Sequence, residues 1–308
     1  MTKEEFTRQL AEKTAAVEEI IKEYLPAQEG EAARVIEAMN YSVDAGGKRL
    51  RPLFIAETCA MYGGRKELAA PFIAALEMIH TYSLVHDDLP AMDNDDYRRG
   101  KPTTHRVYGE GMAVLAGDGL LNYAYETALS AFDAAQNEEE MTRVVRALKI
   151  LACNAGIYGM VGGQCADLMA EDGAAGGEKP EDEGALLNYI HLHKTACMIE
   201  SGLQIGAVLS GAPEEDIARL GETGRDIGLA FQIRDDILDV TGDSAVLGKQ
   251  TGSDEKDGKI TYVRLYGLAA SKERVKELTE HAFSAIASLS KENAFLMELL
   301  RALIDRNS

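Results

Sequence analysis

Apolar residues recur at three- and four-residue spacing almost everywhere along this 308-residue chain, and runs that alternate apolar with polar side chains are close to absent. Val17, Ile20, Ile21 and Leu25 show the pattern: they share one stripe of a helix while charges fill the other face. A period of 3.6 cannot serve a strand, whose side chains repeat every two residues, so the spacing predicts an all-α protein. Helical segments are expected at about 3–25, 30–44, 50–62, 66–86, 110–134, 138–170, 182–210, 213–240, 261–287 and 291–305. Seven prolines interrupt the pattern. Pro26, Pro52, Pro102, Pro180 and Pro213 lie at or near segment ends, where a missing N–H costs least. Pro71 and Pro90 do not follow that rule.

Residues 171–183 (EDGAAGGEKPEDE) and 241–259 (TGDSAVLGKQTGSDEKDGK) read as loops. The helical pattern resumes after each and no fixed-period repeat is visible, which predicts one domain over 1–308 built as a large helical bundle. Lys and Arg total 32 against 51 Asp and Glu, a formal charge of -19 that repels nucleic acid and anionic membranes. The four cysteines, at 59, 153, 165 and 197, form no CxxC pair and are expected to be reduced core thiols in a cytoplasmic protein. The opening MTKEEFTRQL is charged, and the uncharged run Ile150 to Ala166 carries glycines, Asn154 and Gln164. Neither a signal peptide nor stable membrane insertion is expected.

Carboxylates cluster twice. HDDLPAMDNDD holds Asp87, Asp88, Asp93, Asp95 and Asp96 directly after the apolar Ser83-Leu84-Val85. An acidic run of this density is more often a solvated helix end. This one lies between apolar sequence and Arg98-Arg99-Gly100-Lys101, a setting that a divalent cation with an anionic ligand would reconcile. Asp87 and Asp93, six residues apart, would lie roughly 240° apart on an ideal helix, and Pro90 is expected to end or kink the helix between them. In FQIRDDILDVTGD, Asp235 and Asp239 fall one turn apart on one face of a segment rich in Phe, Ile and Leu. Carboxylates in such a helix must be paired or metal-bound. Mg²⁺ binds oxygen, commonly through one or two carboxylates plus substrate phosphates.

Cations gather near these acids in sequence: Gly46-Gly47-Lys48-Arg49-Leu50-Arg51-Pro52, Arg98-Arg99, Lys194-Thr195, Lys249 and Lys259. Each alone is an ordinary solvated side chain. Grouped in so acidic a chain, Arg and Lys beside Mg²⁺ are what a diphosphate needs. Gly46-Gly47 also allows close backbone approach to an anion.

The motifs GGKRLRP, HTYSLVHDDLPAMDNDDYRRGKPT, GGQCADL, HKTACM and GLAFQIRDDILD occur in that order between about Tyr41 and Tyr262. Together they resemble the trans-isoprenyl diphosphate synthase family, most nearly its bacterial-type farnesyl diphosphate synthases. The resemblance implies an all-α isoprenoid-synthase-type bundle of ten or more helices around a central cavity, usually homodimeric. It would condense isopentenyl diphosphate head to tail with dimethylallyl and geranyl diphosphate. By the same resemblance Asp87, Asp88, Asp93, Asp235 and Asp239 hold Mg²⁺, typically three ions, with Mn²⁺ as the alternative. Lys48, Arg51, His80 and Arg99 would bind isopentenyl diphosphate. Arg98, Lys194, Thr195, Gln232, Lys249 and Lys259 would meet the allylic diphosphate or the transient cation. The implied catalytic set is Asp87, Asp88, Asp93, Arg98, Lys194, Asp235 and Lys249. The proton is lost to the released diphosphate, so no catalytic histidine is nominated.

His80 lies on an apolar helix, where a hydrogen-bonded core histidine is the alternative reading. Gln164 and Asp167 in GGQCADL match an element facing the reacting centre, or else form a buried polar packing pair. Tyr82, five residues before Asp87, resembles the floor that stops chain growth at fifteen carbons, as does the Pro90-Ala91 insertion that lengthens DDxxD to DDxxxxD; Ser83 is small, so the floor rests on Tyr82. Tyr82 as ordinary core packing leaves a geranylgeranyl or longer product open. A non-catalytic partner subunit of the same fold has little need for both acidic groups and the basic set. The C-terminal Arg306 has no assigned role.

Overall fold

Helix ends in the computed structural model, which describes residues 1–174, 181–241 and 259–304, fall where capping and turn residues stop the apolar periodicity. Helix α1 (Lys3–Glu23) starts at Thr2, whose hydroxyl accepts from the Glu5 amide at 3.2 Å, with Glu4 and Glu5 in the first turn where the helix dipole favours acid. The chain forms two compact units: Thr2–Leu148 with Ile205–Gly211, and Met1, Lys149–Gln204 and Ala212–Ser308.

The first unit contains α1, α2 (Ala33–Val43), α3 (Leu50–Met61) and α4 (Lys66–Asp87), then a short hairpin of β1 (Tyr97–Arg98) and β2 (Lys101–Pro102). Helices α5 (Thr104–Tyr108), α6 (Glu110–Leu129), α7 (Ala131–Ala134) and the start of α8 (Glu138–Ala155) follow. Helix α4 is its centre. It is apolar on nearly every side, so it packs against α1, α2, α3, α6 and α7 and buries Phe72, Ile73, Leu76, Met78, Ile79, Tyr82 and Val85. Each large apolar side chain so enclosed contributes about 1.5–3 kcal/mol. By length and composition α4 could cross a membrane, as could Glu138–Glu171; in α4 78% of the apolar stretch is buried inside the protein, which marks a core helix. Pro71 sits in the second turn of α4, buried, and the helix continues through it with one fewer N–H.

The second unit contains α9 (Met160–Ala174), α10 (Glu183–Ile190), a π-helical segment (His191–Ala196) and the start of α11 (Cys197–Leu209). Then come α12 (Glu214–Thr241), α13 (Tyr262–Tyr266), α14 (Leu268–Ala287) and α15 (Ala294–Ile304). Gly224 and Gly228 let α12 lie close: a Cβ at either would collide with the backbone of Glu200 or with Ala196.

The all-α expectation is borne out, with local differences. The 110–134 segment breaks at Ser130, 138–170 at residues 156–159, and 261–287 at Gly267, while 182–210 contains the π-helical segment. The hairpin and α5 were not expected. Of the four cysteines, all free thiols, Cys59 and Cys197 are core residues as expected, but Cys153 and Cys165 are exposed, because they fall on the outward faces of α8 and α9.

Candidate active site

In the first unit, α4 ends at Asp87, three residues ahead of Pro90. A series of turns then folds back, and the Asp93 amide donates to the Asp87 carbonyl at 2.8 Å. The two aspartates that an unbroken helix would point apart are thereby brought together by the backbone. Asp88, only 3% exposed, accepts from Arg98 Nε at 2.6 Å. Burial raises the Asp88 pKa from its ordinary value, and the Arg98 guanidinium opposes that rise. Arg98 also reaches Asp95 at 3.3 Å, and Arg106 reaches Asp96 at 3.1 Å. The acidic run is thus partly neutralised by cations a few residues onward.

Arg98 pairs with Lys101 across the hairpin, which leaves Arg99-Gly100 as a two-residue turn with φ of 54° and 76°. Positive φ at both positions is the signature of a type I′ turn. The turn aims Arg99 at the GGKRLRP segment, where its guanidinium donates to the Gly46 carbonyl. Gly47, at φ 142°, holds a conformation that L side chains rarely adopt, and a Cβ there would displace the Arg99 guanidinium. Asp88, Arg98 and Arg99 line a small cavity of about 30 Å³ together with Tyr41, Ser42 and Thr81.

Lys48 is exposed and Arg51 partly so. Arg51 Nη1 lies 3.4 Å from His80 Nε2. A guanidinium only donates, so His80 Nε2 accepts and its proton sits on Nδ1. Burial, then Arg51, Arg99, Arg98 and Arg49, push the His80 pKa well below 6.5 and keep the ring neutral. Tyr82 is buried edge-on to His86, ring centroids 5.9 Å apart. The Ser83 hydroxyl donates to the His80 carbonyl at 2.9 Å.

In the second unit, the π-helical segment carries Lys194 and Thr195. Extra-residue turns of this kind recur at functional sites. Lys194 Nζ donates to Asp167 Oδ2 at 2.5 Å, joining HKTACM to GGQCADL. Gly163, one residue before Gln164, has no room for a Cβ because the Lys194 backbone amide occupies that space. Asp235 and Asp239 lie one turn apart on α12, as the spacing predicts, and Gln232 lies partly exposed one turn earlier. The buried Asp236 between them instead accepts the Tyr262 amide at 2.7 Å and lies 4.0 Å from His191 Nε2. Lys259 reaches Glu171 at 3.0 Å. Lys249 and Arg306 lie outside the described residues.

Among the described residues no three His, Cys, Asp or Glu side chains converge as a ready-made ligand set. Transition-metal sites need such convergence. Mg²⁺, with one or two carboxylate oxygens and the rest from water and phosphate, fits what is present: Asp87 beside Asp93, and Asp235 with Asp239.

Two participants were not legible in the motifs. Arg49 is buried and paired with Glu77 at 2.6 Å, and nothing in GGKRLRP distinguishes the cation that turns inward. His191 is buried with Nδ1 lacking a hydrogen-bond partner, and burial lowers its pKa to about 4.

A family model described as polyprenyl synthetase matches residues 32–296. The farnesyl diphosphate synthase of Geobacillus stearothermophilus is 43% identical over 296 residues, covering 95% of this chain and 96% of its own. The geranylgeranyl diphosphate synthase of Cyanophora paradoxa is 40% identical over 300 residues, covering 97% of this chain and 96% of its own. The crystal structure of a Helicobacter pylori geranyltransferase complexed with magnesium and isoprenyl diphosphate matches at TM-score 0.79 and 32% identity, over 97% of this chain and 96% of that one.

Proposed function

The chain belongs to the polyprenyl synthetase family, and from that premise we propose that it is a Mg²⁺-dependent farnesyl diphosphate synthase. It joins isopentenyl diphosphate to dimethylallyl and then geranyl diphosphate. The observation that carries the reading is the backbone closure that sets Asp93 beside Asp87, in the same unit as the Asp88–Arg98 pair and as Lys48, Arg51 and Arg99.

In this reading Lys48, Arg51 and Arg99 hold the diphosphate of isopentenyl diphosphate. Neutral His80 offers its Nδ1 hydrogen without adding a titratable charge. Arg98, Lys194, Thr195, Gln232, Lys249 and Lys259 hold the allylic diphosphate as its bond to carbon lengthens. The geometry of Lys194 is fixed by Asp167, which leaves its remaining ammonium hydrogens for oxygen acceptors. Asp87, Asp88 and Asp93 in the first unit, and Asp235 and Asp239 in the second, would hold Mg²⁺, which would supply neutralisation of the charge developing on the departing diphosphate. Asp88 orients Arg98 at the same time.

Tyr82 is the proposed floor of the chain-growth path and sets a fifteen-carbon product. Relatives bearing both farnesyl and geranylgeranyl names make this a point for experiment. The same proposal takes 1–308 as one catalytic domain, acting in the cytoplasm as a homodimer.

The test is incubation with dimethylallyl diphosphate, isopentenyl diphosphate and Mg²⁺, with products dephosphorylated and sized, beside Asp235→Ala. A fifteen-carbon alcohol lost with chelator and in the variant supports the reading. A twenty-carbon product moves the assignment to a geranylgeranyl synthase, and no product from folded protein favours a non-catalytic subunit.

A further inference from the structure

We propose that Arg49 is a positioning residue: its buried pairing with Glu77 fixes the segment that carries Lys48 and Arg51 against the turn of α4 that carries His80, and so pre-forms the isopentenyl diphosphate subsite. This rests on the functional reading above. Of the three cations in GGKRLRP, Lys48 is exposed, Arg51 is partly exposed and Arg49 is 6% exposed. Arg49 holds a left-handed backbone, φ 49°, at the start of α3. A non-glycine residue keeps that conformation only where its surroundings over-determine it.

Those surroundings are on three sides. Arg49 Nη1 donates to Glu77 Oε1 at 2.6 Å, Nη2 donates to the Val43 carbonyl at 2.8 Å, and Nε lies 3.5 Å from Glu18 Oε1. One guanidinium therefore ties α4, the end of α2 and α1 to a single point of the chain. Glu77, itself 2% exposed, precedes His80 by one helical turn, and Arg51 contacts His80 directly. The segment is also held from its outer side, where Arg99 donates to the Gly46 carbonyl and Lys101 Nζ to the Asp44 carbonyl at 3.0 Å.

A buried ion pair is weak support for stability, because apolar side chains of similar volume commonly serve as well. What the pair supplies is direction: a planar fork fixes the path of residues 48–51 as a flexible apolar contact would not. Lys48 and Arg51 flank Arg49 and inherit that path.

The experiment compares wild type with the double variant Arg49→Met/Glu77→Leu, which leaves no buried charge unpaired. Calorimetric binding of isopentenyl diphosphate is measured beside steady-state KM for both substrates. The expected result is a cooperative thermal transition, with Kd and KM for isopentenyl diphosphate raised about tenfold to a hundredfold. KM for geranyl diphosphate should stay within roughly twofold, the split that a general loss of structure would not produce. Arg49→Lys keeps the charge without the fork and should raise the same Kd; if the double variant does not fold, this single variant decides. Wild-type affinity in either folded variant overturns the positioning role and leaves the functional reading standing, as does an equal rise in both KM values. Wild-type protein that binds no isopentenyl diphosphate overturns the functional reading and this inference with it.

Discussion

The amide of Asp93 donates to the carbonyl of Asp87 across 2.8 Å, so the main chains of two aspartates six residues apart are joined directly. Side-chain substitution leaves that contact intact. Asp87→Asn and Asp93→Asn should therefore lower turnover by about a hundredfold or more. Both side chains are at least partly exposed, so the unfolding free energy from urea titration should change by less than about 0.5 kcal/mol. Turnover near wild type in either variant would remove that residue from the catalytic set.

Tyr82 is buried against His86, and Tyr82→Ala opens space in α4 one turn and a residue before Asp87. Products longer than fifteen carbons are expected from Tyr82→Ala, with a stability loss of roughly 3 kcal/mol from the cavity. Tyr82→Phe should keep the wild-type length. Chromatography of the dephosphorylated alcohols decides, and an unchanged distribution in Tyr82→Ala dismisses the floor.

Gly163→Ala places a methyl group where the Lys194 backbone amide lies. Overpacking of this kind costs about 1–3 kcal/mol, and here the strain falls on the turn that presents Lys194 and Thr195. The expected outcome is a fall in kcat larger than any change in KM for isopentenyl diphosphate. A lower melting temperature with unaltered kcat would restrict Gly163 to packing.

Acid should destabilise the protein in a window set by His191. Its folded pKa of about 4 lies below the ordinary 6.5, so between these values the unfolded chain binds a proton that the folded chain refuses. Stability then falls as pH drops through that window, by about 3 kcal/mol in full. His80 acts in the same direction, while the Asp226 hydrogen bond raises the His281 pKa and acts in the opposite one. Urea unfolding of wild type and His191→Gln at pH 7 and pH 5 isolates the effect: the variant should lose less stability on acidification. Parallel losses would show that His191 is not its source.

Helices were legible because periodicity is a repeated signal, and the long apolar run of α4 could only be interior. The breaks were less so. Ser130 and Gly267 divide predicted helices at single residues, which a window of three turns averages away. The π-helical segment leaves no mark in composition; Gly228 of α12, whose Cβ would meet Ala196, packs on its end but is an ordinary helix glycine in the sequence. At the site, Asp235 and Asp239 could be placed together because a helix counts residues for the reader. Arg49 could not be told from Lys48 or Arg51, because direction at a loop-to-helix junction is set by a partner 28 positions away. The Arg99-Gly100 turn was equally hidden: Asn-Gly announces a type I′ turn and Arg-Gly does not.

The His191–Ala196 segment works as a vernier. A π turn takes in one residue more than an α turn, so all that follows it is rotated by about 100° from the register that α10 would have dictated. Deleting Leu192 would let the helix close up to ordinary pitch and swing Lys194 away from Asp167, although neither partner of that pair had been removed. Elsewhere a change of length is absorbed by a loop; here it is read out as an angle.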